Sequence, residues 1–112
     1  MVQIPFVRPK SSGQDVRLLE AARNGDVSRV AELLQAGAEI DATDANGHTA
    51  LILAAMAGHL PVVRSLVEAG ADTTHKDNLG YDAYTAAMFF GDFRGVITPP
   101  FDEIMAVVKS PV

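Results

Sequence analysis

The chain has no cysteine, so disulfides, thiol nucleophiles and cysteine-bound zinc have no place in it, and the redox compartment stays open. No apolar run approaches the roughly 20 residues that cross a bilayer. Residues 1–11 include Pro5, Arg8, Pro9 and Lys10 and no unbroken apolar stretch, so a secretory leader is not expected and a cytoplasmic location is. Bases are few, with 9 Lys and Arg against 14 Asp and Glu and a net charge of -5. That balance would repel a phosphate backbone, which argues against nucleic acid as a partner. Also missing are a glycine-rich phosphate loop, a serine elbow and paired carboxylates on one helix face, so neither catalysis nor a cofactor is expected. With 112 residues, 48% of them hydrophobic, the remaining reading is one ordinary folded domain without membrane contact.

What is present is repetition. Gly25, Gly58 and Gly91 fall 33 residues apart, and their surroundings repeat with them. Ala54-Ala55 lies on Ala21-Ala22, Val63 on Val30, Leu66-Val67 on Leu33-Leu34, and Gly70-Ala71-Asp72 on Gly37-Ala38-Glu39. Downstream, Asp77 and Gly80 match Asp44 and Gly47, and Ala87 matches Ala54. A fixed period of this length predicts a solenoid whose units bury their faces on one another, with every unit needed for stability in so short a stack.

Local chemistry fills in each unit. Asp44 to Gly47 and Asp77 to Gly80 suit type I turns at the tips of projecting fingers. Thr49 and Asp82 stand where a side-chain oxygen can cap the next helix. Ala21, Ala22, Ala54 and Ala55 carry little bulk, which lets neighbouring helices approach closely. A second helix in the middle unit starts near Pro61, buries Val62, Val63, Leu66 and Val67, and ends at Gly70. Ser12-Gly-Gln-Asp15 reads as a capping box for a first helix running toward Asn24. After Phe93 the period breaks, and a helix is expected to restart at Thr98 with Pro99 in its first turn and an apolar stripe of Phe101, Ile104, Met105 and Val108 that seals the last interface. The alternative makes residues 94–100 a functional loop.

The stretch from Asp44 through Val63, closed by Leu66-Val67-Glu68-Ala69-Gly70-Ala71-Asp72, resembles an ankyrin repeat. Ala50 and Ile52 stand where the family has proline and histidine, and the third unit has Asp82-Ala83-Tyr84-Thr85 there, with Met88 in place of a small residue. The resemblance implies an all-α solenoid, a stack of helix-turn-helix units with short β-hairpin fingers: an arm at 1–11, an N-terminal capping repeat at 12–43, a central repeat at 44–76 and an irregular C-terminal capping repeat at 77–112. It also implies a concave face of fingers and first helices that contacts another protein. The variable positions of that face fall on Ala45, Asn46, His48, Met56 and Ala57, then on Asn78, Leu79, Tyr81, Phe89 and Phe90, with Arg23 and Asn24 as their first-unit equivalents.

The expected partner-binding residues are therefore Asn46, His48, Met56, Asn78, Leu79, Tyr81, Phe89 and Phe90, because aromatic and bulky apolar groups supply most interface energy. Phe89 and Phe90 have packing under the terminal helix as their alternative, and Phe90 is equally suited to either place. Asp44 and Asp77 are explained by their turns, whereas Glu39, Asp41 and Asp72 are free to steer a basic partner. The expected protein is a non-enzymatic, monomeric interaction module, bacterial by its small size. One alternative is a dedicated inhibitor or immunity-like protein for a single toxin or enzyme. Another, from a different class, is a metal-dependent enzyme using His48, His59 or His75; His75 and Asp77 with Asp72 nearby are a weak match to a metal site, and His59 has a structural role within the resemblance.

Overall fold

A computed structural model describes residues 13–93 and 96–109. The arm at 1–11, Ser12 of the capping box, Arg94-Gly95 of the expected loop and residues 110–112 lie outside them. The elements are α1 (Gly13–Asn24), α2 (Val27–Gln35), α3 (Ala50–Ala57), α4 (Leu60–Glu68), α5 (Ala83–Gly91), β1 (Asp92–Phe93), β2 (Val96–Ile97) and α6 (Phe101–Val108). Helix α3 packs between α1 and α5, and α4 between α2 and α6, so the helices form an inner and an outer row.

The caps follow from the side chains. Thr49 Oγ1 accepts from the Ile52 N–H at 3.2 Å and Asp82 Oδ1 from the Thr85 N–H at 2.8 Å, which starts α3 and α5 where the sequence places them. Asp26, unremarked in the sequence, does the same for α2 through the Arg29 N–H at 3.1 Å. The α4 start has Pro61 in its first turn and no side-chain cap.

The inner row meets through alanines. Ala22, Ala54, Ala55 and Ala87 have no accessible surface, and the larger side chains that close the core around them are Leu18, Leu51, Ile52, Val62, Val63, Leu66 and Ile104, all at or below 1% exposure. Each such aliphatic group contributes about 1.5–3 kcal/mol on burial. Ala50 and Ile52, the second unit's two departures from the family pattern, are both in this core, so Ile52 replaces a polar group with packing.

Fingers are tight turns rather than ladders. In the first, the Asp44 N–H donates to the His48 carbonyl and the Gly47 N–H to the Asp44 carbonyl, both at 3.0 Å. The second repeats this between Asp77, Tyr81 and Gly80. Among the described residues, strand pairing occurs elsewhere, where Asp92 faces Ile97 and Phe93 faces Val96 in an antiparallel hairpin. That hairpin occupies the place between α5 and α6 that Gly25-Asp26 and Gly58-His59 fill in the other units.

Helix α6 begins at Phe101 and not at the expected Thr98. The Thr98 N–H and hydroxyl both donate to the Gly91 carbonyl, at 2.9 and 3.0 Å, and the Phe101 N–H turns back to the Thr98 carbonyl at 2.9 Å. Thr98 thus closes the hairpin excursion, and the prolines that follow, lacking N–H groups, form the turn into the helix. Ile104 and Val108 are buried and Phe101 and Met105 partly so, which makes α6 the seal on α4 and α5.

The three periodic glycines have two different reasons. Gly25 and Gly58 take left-handed φ values of 79° and 77° at helix exits. Gly91 lies within α5 without a positive φ; an added Cβ there would lie 2.6 Å from Phe101 Cγ, so the glycine makes room for α6. Gly91→Ala gains up to about 1 kcal/mol of helix propensity, yet must displace a ring anchored on its own helix, at about 1–3 kcal/mol. The expected result in urea denaturation is a net loss of about 1 kcal/mol, with Gly13→Ala, at the start of α1 and meeting nothing within 4 Å, unchanged or slightly stabilised as a control. An unshifted midpoint for Gly91→Ala would contradict the close seating of α6.

Candidate functional site

Stacking the fingers at one repeat spacing brings their tips into hydrogen-bonding reach. The Asn78 N–H donates to the Asn46 carbonyl at 3.0 Å and the Asn78 side-chain amide to the Ala45 carbonyl at 3.0 Å. His75 Nε2 lies 3.0 Å from the Gly47 carbonyl, and His59 Nε2 2.9 Å from the Arg23 carbonyl. These rings tie one unit to the next, so two of the three histidines proposed for a metal-dependent enzyme are engaged with backbone. Among the described residues no group of His, Asp and Glu is placed to hold a metal ion.

His48 occupies a different setting. Its Nδ1 is 3.4 Å from Asp44 Oδ2 and its Nε2 3.2 Å from Asp77 Oδ2, so one ring bridges the carboxylates of two successive fingers. Each carboxylate uses its other oxygen to shape its own turn. Asp44 Oδ1 accepts from the Asn46 and His48 N–H groups and Asp77 Oδ1 from those of Leu79 and Tyr81, all at 2.9 Å. Burial pushes the Asp77 pKa up, but the Tyr81 and Leu79 N–H groups and His48 outweigh it, leaving the group below the ordinary aspartate value.

Above this bridge lies an apolar cleft of about 330 Å³, lined by His48, Met56, Asp77, Leu79, Tyr81, Ala86, Phe89 and Phe90. Tyr81 and Phe89 stack with centroids 6.3 Å apart and Phe90 meets Phe89 edge-on at 5.3 Å. Leu79, Phe89, Phe90 and Tyr81 are 78%, 65%, 51% and 39% exposed. Phe90 is therefore on the surface; the ring that packs under the terminal turn is Phe101, over Gly58 and Gly91. Six of the expected residues, His48, Met56, Leu79, Tyr81, Phe89 and Phe90, come together here. Asn46 and Asn78 lie outside the lining, and the Asn78 amide is taken up in the fingertip tie.

Two lining residues escaped the sequence reading. Ala86 adds a small buried group to the lining, and Asp77 reaches it only because the fingers stack. Two of the acidic residues expected to steer a partner, Asp41 and Asp72, have structural work as well, and the backbone of the third, Glu39, is held by Asp15. Asp41 Oδ1 accepts from the Asp72 N–H at 2.9 Å, Asp72 Oδ1 accepts from the Thr74 hydroxyl and N–H at 2.7 and 2.8 Å, and the Glu39 N–H donates to Asp15 Oδ1 at 2.8 Å. Those Thr74 bonds hold the Asp72 pKa below its ordinary value. Asp15, expected only as a capping residue, is 1% exposed and serves the first unit as Asp41 serves the second.

A family model for ankyrin repeats, in three copies, matches residues 18–97. The chain belongs to the ankyrin repeat family. No match is found among curated proteins. Ankyrin repeats are generally protein–protein interaction modules and typically non-enzymatic. In this ankyrin stack, no helix among the described residues is long and apolar enough to cross a membrane.

Because the Asp77 carboxylate binds protons less readily folded than unfolded, the stability it contributes is present above the unfolded pKa near about 4 and is lost as pH falls through the lower folded value. Asp77→Asn should lower stability by about 1 kcal/mol near neutral pH. The gap to the unsubstituted chain, followed by urea melts, should hold down to about pH 5 and narrow below about pH 4. A gap as wide at about pH 3 as at neutral pH would show that the charge is not what holds the fingers.

Proposed function

We propose that the protein is a small, monomeric, cytoplasmic, non-enzymatic module that binds another protein through the cleft bounded by Met56, Leu79, Tyr81, Phe89 and Phe90. The observation that carries this reading is the exposure of Leu79, Tyr81, Phe89 and Phe90 side by side in a fold whose other large apolar groups mostly line the core. A contiguous exposed apolar patch marks a surface that a partner covers or one prone to aggregate. The rings are rigid and already stacked on one another, so little side-chain entropy is lost when a partner arrives.

The lining favours recognition over catalysis. Two of its polar side chains, His48 and Asp77, already face each other at 3.2 Å, the third is the Tyr81 hydroxyl, and no serine, threonine or lysine lines the cleft beside them. The arrangement supports recognition of an apolar surface, with the histidine bridge as its rigid floor.

Tyr81→Ala and Phe89→Ala should each weaken partner binding by about 2 kcal/mol or more, as aromatic hot spots do, with little change in melting temperature. Arg64→Ala and Ser65→Ala, on the outer α4, should leave binding unchanged; the Arg64–Glu103 pair at 3.6 Å is solvent-exposed and contributes about 0–1 kcal/mol. Calorimetry against the protein that co-purifies from the native cell, run beside thermal melts, checks both. If the ring substitutions leave the chain folded and binding unchanged, the site is not this cleft.

A further inference from the structure

The apolar cleft borders carboxylates: Asp77 lines it, and Asp44 meets the same His48 ring. The two finger segments, residues 36–49 and 69–82, carry Glu39, Asp41, Asp44, Asp72, Asp77 and Asp82 against Lys76 alone among lysines and arginines. Hydrogen bonding to backbone shapes the turns without removing these charges, and Asp72 and Asp77 are held ionised by the groups that bond them. No lysine or arginine lines the cleft. Arg23 holds the position equivalent to Met56 and Phe89, but in the first unit, two repeats from the aromatic rings. The rings add to the same preference, since the exposed faces of Tyr81 and Phe89 attract cations and disfavour anions.

We infer that the cleft receives a basic segment of the partner protein, in which a bulky apolar side chain enters between Leu79, Tyr81 and Phe89 while a neighbouring lysine or arginine faces the carboxylates of the fingers. The inference rests on the proposed binding role of the cleft and adds the chemistry of what it binds. The volume of about 330 Å³ suits one or two large side chains, not a whole helix face. An acidic segment would bring its carboxylates against Asp44 and Asp77, and a phosphate-bearing surface, whether nucleic acid or anionic lipid, would meet the same repulsion. The finger charges act mainly on encounter, raising the association rate of a cationic segment.

The test is selection of peptides from a random phage-displayed library on the full chain, with Phe89→Ala and Leu79→Ala chains as counter-selection. Both side chains are largely exposed, so the substituted chains keep the fold. Peptides retained by the full chain and lost on both variants should share one bulky apolar residue with lysine or arginine within about four positions, a spacing that keeps both on one side of a short segment. A synthetic peptide of that consensus should associate at least about fivefold more slowly when salt is raised from about 20 to about 500 mM, because screening shortens the reach of the finger charges. An acidic or uncharged consensus, or an association rate indifferent to salt, overturns the inference and leaves the cleft as a binding site. Failure to obtain any peptide that distinguishes the full chain from the two variants overturns both.

Discussion

Everything in this molecule depends on how closely the inner helices approach. Ala22, Ala54, Ala55 and Ala87 are fully buried where α1, α3 and α5 meet, and a larger side chain there would force the units apart. The close spacing is then transmitted to the fingers. Only at that spacing does the Asn78 N–H reach the Asn46 carbonyl, His75 the Gly47 carbonyl, and His48 the carboxylates of two fingers at once. Since an added Cβ at Gly47 would come within 2.6 Å of Asn78 Oδ1, the fingertips are as tightly fitted as the helices. The cleft is a consequence of that fit, for its walls come from two units and its floor from the histidine between them.

The same constraint governs how α6 is seated. It covers α4 and α5 from the outer row, with Ile104 and Val108 inside and Asp102 and Glu103 outside. The Phe101 ring reaches across to both Gly58 and Gly91, linking the end of α3 to the end of α5. The hairpin at Asp92–Ile97 leaves this contact intact because Thr98 returns the chain to the Gly91 carbonyl.

The period, the turns, the caps at Thr49 and Asp82 and the alanine contacts were legible because each depends on residues near in sequence or on the repeat itself. The aromatic cluster was legible for the same reason: in a stack of fixed period, positions one repeat apart are neighbours. What escaped depends on tertiary contact that no period encodes. Gly91 matches Gly25 and Gly58 in sequence, yet it is kept small by Phe101 and not by a left-handed turn. Asp15 looks like a capping residue until Glu39 donates to it from 24 positions away. Asp41 and Asp72 look free until the fingers stack. Sequence alone also left open whether Phe89 and Phe90 pack under the terminal helix, because that depends on where the excursion after Gly91 returns.

Position by position along the stack, the framework repeats while the face does not. Asp15, His48 and Tyr81 stand one repeat apart, as do Arg23, Met56 and Phe89, and Asn24, Ala57 and Phe90. In each of the latter two series a polar residue in the first unit gives way to an aromatic one in the third, while the alanines beneath stay as they are. Packing does not call for the change, since Phe89 is 65% exposed and a polar residue there would be better solvated. Stability therefore does not account for the aromatic end of the face. An external contact would account for it, because rings that bury little surface in the folded chain can bury most of it against a partner, and that gain is realised only on binding.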